Sequence, residues 1–171
     1  MKKKTIIGII GLGYVGLPVC LAFSKKYKTI GYDIDKNKII NLQKKYKKNS
    51  SKKIFFVNSL SELKPCNLYI VIVPTPVDQH NIPDLSLLKN ACDNLGSIIS
   101  NSDTVIFEST VYPGVTEDIC GNILSRKSKL KIITDENKNK LNKGFYLGYS
   151  PERINPGDTS KDFENINKII S

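Results

Sequence analysis

The stretch GLGYVG, residues 11–16, combines three glycines in the spacing G-x-G-x-x-G directly after the apolar run TIIGII. This spacing suits a diphosphate, because Gly11 permits a tight turn and Gly13 lets phosphate groups approach the backbone, while Gly16 allows a following helix to pack closely. The amino end of that helix stabilises negative charge. By itself the motif is weak evidence, since glycine turns also occur without a ligand.

A carboxylate at the expected distance strengthens the interpretation. Asp33 ends the next apolar segment, KTIGYD, about 20 residues after the motif, where a carboxylate accepts hydrogen bonds from the ribose diol of a dinucleotide. The sequence therefore predicts NAD as the cofactor. NAD is favoured over NADP because a 2′-phosphate would meet the charge of Asp33, although Lys38, a nearby cation, works against that preference.

Two threonines follow later strand-like segments. Thr75 lies in PTP, residues 74–76, and Thr110 ends EST, residues 108–110. Open α/β sheets bind ligands beyond the carboxyl ends of their strands, so both hydroxyls are candidates for ligand contact. The alternative is a hydroxyl that only caps a turn.

The stretch GYSPERINPGD, residues 148–158, sets an acid beside an arginine between two prolines. Glu152 in a partly dry cleft could manage the proton that leaves an alcohol during hydride transfer. Arg153 would suit an anionic substrate. A local ion pair that only shapes the loop is the alternative for both residues.

The elements that would position these residues alternate along the chain. The pattern predicts strands at 5–10, 28–33, 54–57, 67–73, 104–108 and 145–150, and helices at 14–26, 36–46, 84–99 and 115–124, with a helical turn near Leu60. The polar segment 126–144 is predicted to be an exposed loop. This alternation predicts a single α/β domain over residues 1–171, of the Rossmann type: a doubly wound, mainly parallel sheet with helices on both faces.

The formal charge of +10 raises the question of a nucleic-acid partner. Only Arg126 and Arg153 are arginines, and eight lysines fall between Lys36 and Lys53, as on the solvated face of a helix and loop. No nucleic-acid partner is predicted. No apolar run approaches the roughly 20 residues of a membrane span, so we expect no membrane partner and a cytoplasmic location.

The chain contains 4 cysteines, Cys20, Cys66, Cys92 and Cys120, which are widely spaced and form no CxxC pair. Their surroundings are apolar or helix-like. We therefore predict buried structural thiols, with neither a disulfide framework nor a metal site.

In combination, GLGYVGLP, YDID, VPTP, PDLSLL, ESTVYPGVTED and GYSPERINPGD resemble the N-terminal domain of the nucleotide-sugar 6-dehydrogenases, the UDP-glucose/GDP-mannose dehydrogenase family. The resemblance covers nearly the whole chain. ESTVYPG and SPERINPGD are most similar to the branch that acts on UDP-N-acetylhexosamines in capsule and O-antigen synthesis. In the UDP-glucose branch a second glutamate typically follows the SPE glutamate, where this chain has Pro156.

This resemblance implies an enzyme that oxidises a sugar C6 alcohol to a carboxylate in two NAD-dependent steps. It assigns Glu152 to acid/base work through water, Thr110 to the catalytic site, and Arg153 and Ile154 to the substrate site. The cofactor contacts that it implies are Gly11, Gly13, Tyr14, Val15, Gly16, Asp33, Lys38, Thr75 and Thr110.

The resemblance also implies parts that this sequence lacks. The family performs its second oxidation through a thioester on a cysteine in a GGxCxPKD-like motif, and a central helix usually forms a homodimer interface. Because neither is present, and no cysteine here follows a GGx sequence, we expect an N-terminal fragment without the central helix and the C-terminal UDP-binding domain. Such a fragment should bind NAD weakly and turn over little or no UDP-sugar.

Three other interpretations remain open: a UDP-glucose 6-dehydrogenase, another NAD enzyme of the 6-phosphogluconate or hydroxyacyl-CoA dehydrogenase type, and a non-catalytic nucleotide-binding module or basic nucleic-acid binder. The segment SPERINPGD favours the nucleotide-sugar family over the second. Titration with NAD at two salt concentrations would test the third, because nucleic-acid binding that depends on phosphate contacts is lost as salt is raised.

Overall fold

The computed structural model describes residues 4–47 and 53–151. The strands are β1 (Ile6–Ile10), β2 (Lys28–Tyr32), β3 (Ile54–Val57), β4 (Leu68–Val71), β5 (Thr104–Phe107), β6 (Lys131–Ile132) and β7 (Gly144–Tyr149). The α-helices are α1 (Gly16–Ser24), α2 (Lys36–Tyr46), α3 (Ser86–Gly96) and α4 (Asn122–Ser128). A 3₁₀ turn covers Leu60–Leu63, and a π-helical segment, Val115–Gly121, runs into α4.

The strands form one sheet in the order β3-β2-β1-β4-β5-β7-β6, and every pairing between them is parallel. Chain order reverses between β1 and β4, because β2 and β3 lie on one side of β1 and the later strands on the other. A cleft therefore opens there at the carboxyl ends of the strands, which we call the carboxyl edge.

Helices cover both faces of the sheet. On one face, α1 and α2 contribute Val19 and Ile39 to an apolar cluster with Ile7, Ile9 and Ile70. On the opposite face, α3 and α4 supply a second cluster, which contains Leu88, Leu95, Leu124, Val105 and Phe107. The sheet is thus buried on both sides, which confirms the predicted doubly wound Rossmann-type fold.

The segment predicted as a loop, 126–144, differs from the expectation. Helix α4 extends to Ser128, and β6 adds a seventh strand that pairs with β7 through Lys131↔Gly144 and Ile132↔Phe145. A strand of two residues has too little apolar alternation to be recognised in a polar, lysine-rich stretch. The segment FYLGYS is therefore the seventh strand along the chain.

Within 4–47 and 53–151, none of the helices combines the length and the apolar character that a span requires.

Close packing of α1 on the glycine loop depends on Gly16. A Cβ atom at this position would collide with the carbonyl oxygen of Gly11, a backbone atom that cannot rotate away. At Gly13, by contrast, no heavy atom lies within 4 Å of an added Cβ.

We predict that Gly16→Ala lowers the free energy of unfolding by about 1–3 kcal/mol, because the helix must shift off the loop. Thermal unfolding checks this, with a fall in Tm of roughly 2–4 °C for each kcal/mol. The matched control is Gly13→Ala, which should unfold within about 0.5 kcal/mol of the original protein. Equal stability of the two variants would contradict the packing role of Gly16.

Candidate functional site

A cleft of about 720 Å³ lies at the carboxyl edge, where chain order reverses between β1 and β4. Its size falls in the usual range of sites for small molecules and cofactors. It is lined by the glycine loop, the end of β2 and the start of α2, the ends of β1 and β4, the 3₁₀ turn and the outer side of α3.

The glycine loop forms one end of the cleft. Gly11 has a φ of +94°, which favours glycine, and an added Cβ would collide with the carbonyl oxygen of Ile72 on the adjoining strand. Gly11 N–H donates to the carbonyl oxygen of Tyr32 at 2.9 Å, which ties the loop to the end of β2. Above Gly13 the space is open, as a ligand that lies against the backbone requires.

Helix α1 begins directly after this loop. Among the described residues no side chain caps its amino end, and its first turn contains no acidic residue. The free amide groups and the helix dipole therefore remain available to an anion in the cleft.

The carboxylate of Asp33 connects the loop to α2. Its Oδ2 accepts hydrogen bonds from the backbone N–H of Leu12 at 2.9 Å and from Lys38 Nζ at 2.8 Å, and its Oδ1 accepts from the N–H of Asp35 at 3.0 Å. The residue is buried, with 7% of its surface exposed. It is therefore a fixed acceptor in the cleft wall.

Opposing influences set the pKa of Asp33. Burial disfavours the charged form and raises the pKa, but the hydrogen bonds from Lys38, Asp35 and Leu12 and the charge of Lys38 outweigh it, so the net pKa lies below the ordinary value. The carboxylate is thus charged at neutral pH. The pKa of the adjacent Tyr32 phenol is raised, first by burial and second by the negative charge of Asp33.

Helix α2 starts at the same place because Asp35 is its N-cap. The Asp35 side chain accepts hydrogen bonds from the N–H groups of Asn37 at 2.9 Å and Lys38 at 3.1 Å. This cap fixes the first turn of α2, and so fixes the backbone position from which Lys38 reaches Asp33.

The predicted threonines contact each other at the ends of β4 and β5, next to the cleft, but neither is among the residues that line it. Thr75 Oγ1 donates to the carbonyl oxygen of Thr110 at 2.6 Å, which joins the ends of β4 and β5. Next to it, the hydroxyl of Ser109 accepts from Val73 N–H at 3.1 Å and donates to Val73 O at 2.8 Å. The Thr75 hydroxyl therefore has a structural partner, while the Thr110 side chain is exposed.

The structure brings four of the predicted cofactor residues together, since Gly11, Gly13, Asp33 and Lys38 all line the cleft. Tyr14 is 59% exposed, and Val15 directly precedes α1. The predictions for Glu152, Arg153 and Ile154 fall outside the described residues and stay predictions.

An apolar wall of the cleft had not been predicted. It consists of Ile34, which is 74% exposed, with Leu60, Leu87 and Ala91. Such side chains suit the flat face of a base. The only sequence signal was an exposed isoleucine directly after Asp33, which does not differ from ordinary surface composition.

All four cysteines are buried and free. Burial raises the pKa of both Cys20 and Cys66 to about 12. Cys92 has a raised pKa as well, first because of its hydrogen bond with Cys120 and second because of burial. The thiols of Cys20, Cys66 and Cys92 are therefore held protonated, as expected of structural cysteines.

These residues fit an adenine dinucleotide. A diphosphate would meet open space over Gly13 and an uncapped helix end, a ribose diol would meet the charged Asp33, and the apolar wall lies beside them. Fold and site together define a dinucleotide-binding protein of the Rossmann class.

Comparison with known proteins gives the family. Residues 5–171 match the NAD binding domain of the UDP-glucose/GDP-mannose dehydrogenase family, and the chain belongs to that family. NAD is therefore its cofactor, which confirms the prediction from the glycine motif.

Similar proteins include the UDP-N-acetyl-D-glucosamine 6-dehydrogenases of Salmonella typhi, 40% identical over 174 residues, and of Pseudomonas aeruginosa, 38% identical over 178 residues. These alignments cover 96% and 99% of this chain, but 39% and 40% of the relatives. The chain thus spans about two fifths of their length. Among solved structures, the UDP-D-ManNAc dehydrogenase from Pyrococcus horikoshii has a TM-score of 0.78 at 29% identity, over 90% of this chain and 37% of that one.

The lowered pKa of Asp33 predicts a pH dependence of stability. Its contribution is fully present above the ordinary pKa of about 3.9 and is lost as the pH falls through the lower value of the folded state. We expect Asp33→Asn to be less stable than the original protein at pH 7, and the difference to shrink as the pH is lowered below about 4. Urea unfolding across this range checks it; a difference that is constant with pH would show that the charge of Asp33 does not matter.

Proposed function

We propose that the chain, residues 1–171, is the NAD-binding domain of an NAD-dependent UDP-sugar 6-dehydrogenase, whose substrate is a UDP-N-acetylhexosamine. The observation that carries the proposal is the cleft at the carboxyl edge, with Asp33 and the glycine loop in hydrogen-bonded contact. The identities of 40% and 38% to two UDP-N-acetyl-D-glucosamine 6-dehydrogenases support this substrate class.

On this proposal, each residue of the site binds a particular part of NAD. Gly11, Gly13 and Gly16, with Tyr14 and Val15 of the same loop, hold the diphosphate against the amino end of α1. Asp33 and Lys38 bind the adenosine ribose, and Ile34 and Leu87 enclose the base. Thr75 and Thr110 lie at the ends of β4 and β5, where the nicotinamide half would extend across the edge.

When bound, NAD supplies the hydride acceptor for oxidation of the C6 alcohol. Ser150 N–H donates to Phe107 O at 2.9 Å, so the chain leaves β7 at the carboxyl edge, beside β5. On this proposal, the residues that follow β7 act on the alcohol. Glu152 would accept the alcohol proton through water, while Arg153 and Ile154 would orient the substrate. Thr110, on the neighbouring strand end, would hold the water.

None of the four cysteines supplies the thioester nucleophile, on this proposal, because all are buried and Cys20, Cys66 and Cys92 have raised pKa values. Complete oxidation to the uronate would then need a nucleophile that these four cysteines do not provide. We further propose a homodimer as the working form, in the cytoplasm.

The thiols give a direct test. We expect none of the four to react with an aromatic disulfide reagent in the folded protein on a scale of minutes, and all 4 to react after denaturation. The absorbance of the aromatic thiolate that the reagent releases measures the reaction in the folded and in the denatured protein. A fast-reacting thiol in the folded protein would identify a nucleophile and contradict this part of the proposal.

Cofactor preference tests the site itself. We expect calorimetric titration to show that NAD binds and that NADP binds at least tenfold more weakly, because a 2′-phosphate would face the Asp33 charge. Asp33→Ala should weaken NAD binding by roughly 10- to 100-fold, which corresponds to the loss of hydrogen bonds to a charged group. The matched control is Asp135→Ala, an exposed aspartate paired with Lys138. The absence of NAD binding, or equal affinities in the two variants, would overturn the proposed site.

A further inference from the structure

A group of exposed lysines lies around the amino ends of β2 and β3, at the opposite edge of the sheet from the cofactor cleft. We call it the lysine surface; it consists of Lys26, Lys28, Lys45, Lys47 and Lys53 together with the aromatic residues Tyr27 and Phe55. Tyr27 is 41% exposed and Phe55 44%.

Contacts within the group hold it together as one surface. Lys53 Nζ donates to the carbonyl oxygen of Lys26 at 3.3 Å, and Lys28 Nζ lies 5.2 Å from the centre of the Phe55 ring. Lys45 Nζ lies 5.6 Å from the centre of the Tyr46 ring. Tyr46, Lys47 and Phe55 line a shallow groove of about 370 Å³ between α2 and β3.

In the described residues, the acidic groups recorded near these cations are Glu62, which lines the groove, and the buried Asp103, whose charge acts on Cys66 together with that of Lys28. Within the described residues, the ion pairs of Lys38, Lys127 and Lys138 with aspartates all lie elsewhere on the molecule. Lys45 and Lys47 also stabilise the carboxyl end of α2, but Lys28 begins β2 and Lys53 directly precedes β3, so no helix end accounts for them.

We propose that the lysine surface attaches the protein reversibly to a bilayer that contains anionic phospholipids. Lysines near such a surface each contribute to binding, and aromatic rings at the same level insert among the headgroups. The sequence expectation of no membrane partner was drawn from the absence of a spanning segment, which does not bear on a surface contact.

A nucleic acid fits this surface less well. It contains no arginine, the residue that favours bidentate phosphate and base contacts. The ammonium of Lys28 already occupies a face of the Phe55 ring, which a base would need for stacking.

The lysine surface and the cofactor cleft lie at opposite ends of the strands. The cleft opens at the carboxyl ends of the parallel strands, whereas the lysine surface lies at their amino ends. A protein attached through these lysines therefore presents its cofactor site to solution, where nucleotides exchange freely.

The test measures sedimentation of the protein with vesicles of phosphatidylglycerol and phosphatidylcholine in equal parts, and with vesicles of phosphatidylcholine alone. We expect binding to the anionic vesicles only, weakening as salt is raised. The triple variant Lys26→Gln, Lys28→Gln, Lys53→Gln should bind roughly 100-fold more weakly, on the basis of about fivefold for each lysine. NAD affinity, measured by calorimetry, should not change.

The matched control carries the same loss of charge at exposed lysines elsewhere: Lys89→Gln, Lys140→Gln, Lys143→Gln. It should keep vesicle binding to within a few-fold. Phe55→Ser should weaken binding even at high salt, which reports insertion of the ring. Equal loss in the two triple variants, no binding to anionic vesicles, or tighter binding to duplex DNA than to vesicles would each overturn the proposal. None of these outcomes depends on the dehydrogenase proposal, because that is tested by NAD titration.

Discussion

The arrangement of the cofactor cleft depends on one carboxylate. Asp33 holds the glycine loop through Leu12 N–H, the turn after β2 through Asp35 N–H, and the first turn of α2 through Lys38. The glycine loop, 21 residues away in sequence, is thus joined by one buried charge to the turn and helix that directly follow it, and its hydrogen bonds outweigh the cost of its burial. A ligand enters a site that is already ordered, so less conformational entropy is lost on binding.

The ends of β4 and β5, beside the cleft, are ordered by neutral hydrogen bonds. The hydroxyl of Ser109 is both donor and acceptor to the backbone of Val73, and Thr75 bonds to the carbonyl of Thr110. These contacts keep the ends of β4 and β5 together beyond the last ladder bond. A charged group therefore orders the cleft at Asp33, while neutral hydroxyl groups order the neighbouring strand ends.

The parts of the site that could be predicted are those whose spacing is set by local backbone geometry. The glycine loop and Asp33 belong to one strand-turn-helix-strand unit, so their separation in sequence is nearly constant. The apolar wall of Ile34, Leu60, Leu87 and Ala91 could not be found in this way, because its members come from separate segments that meet only after folding. Similarly, β6 is defined by its partner β7 and not by its own two residues.

The position of β7 between β5 and β6 affects how the protein is made. In the described part of the chain, β6 pairs only with β7, which is synthesised after it. During translation the first five strands can assemble in a growing sheet, but residues 131–132 have no strand to join until residues 144–145 have left the ribosome. This margin of the sheet is therefore completed last, and the nascent chain carries an unjoined segment there for as long as the intervening residues take to be added.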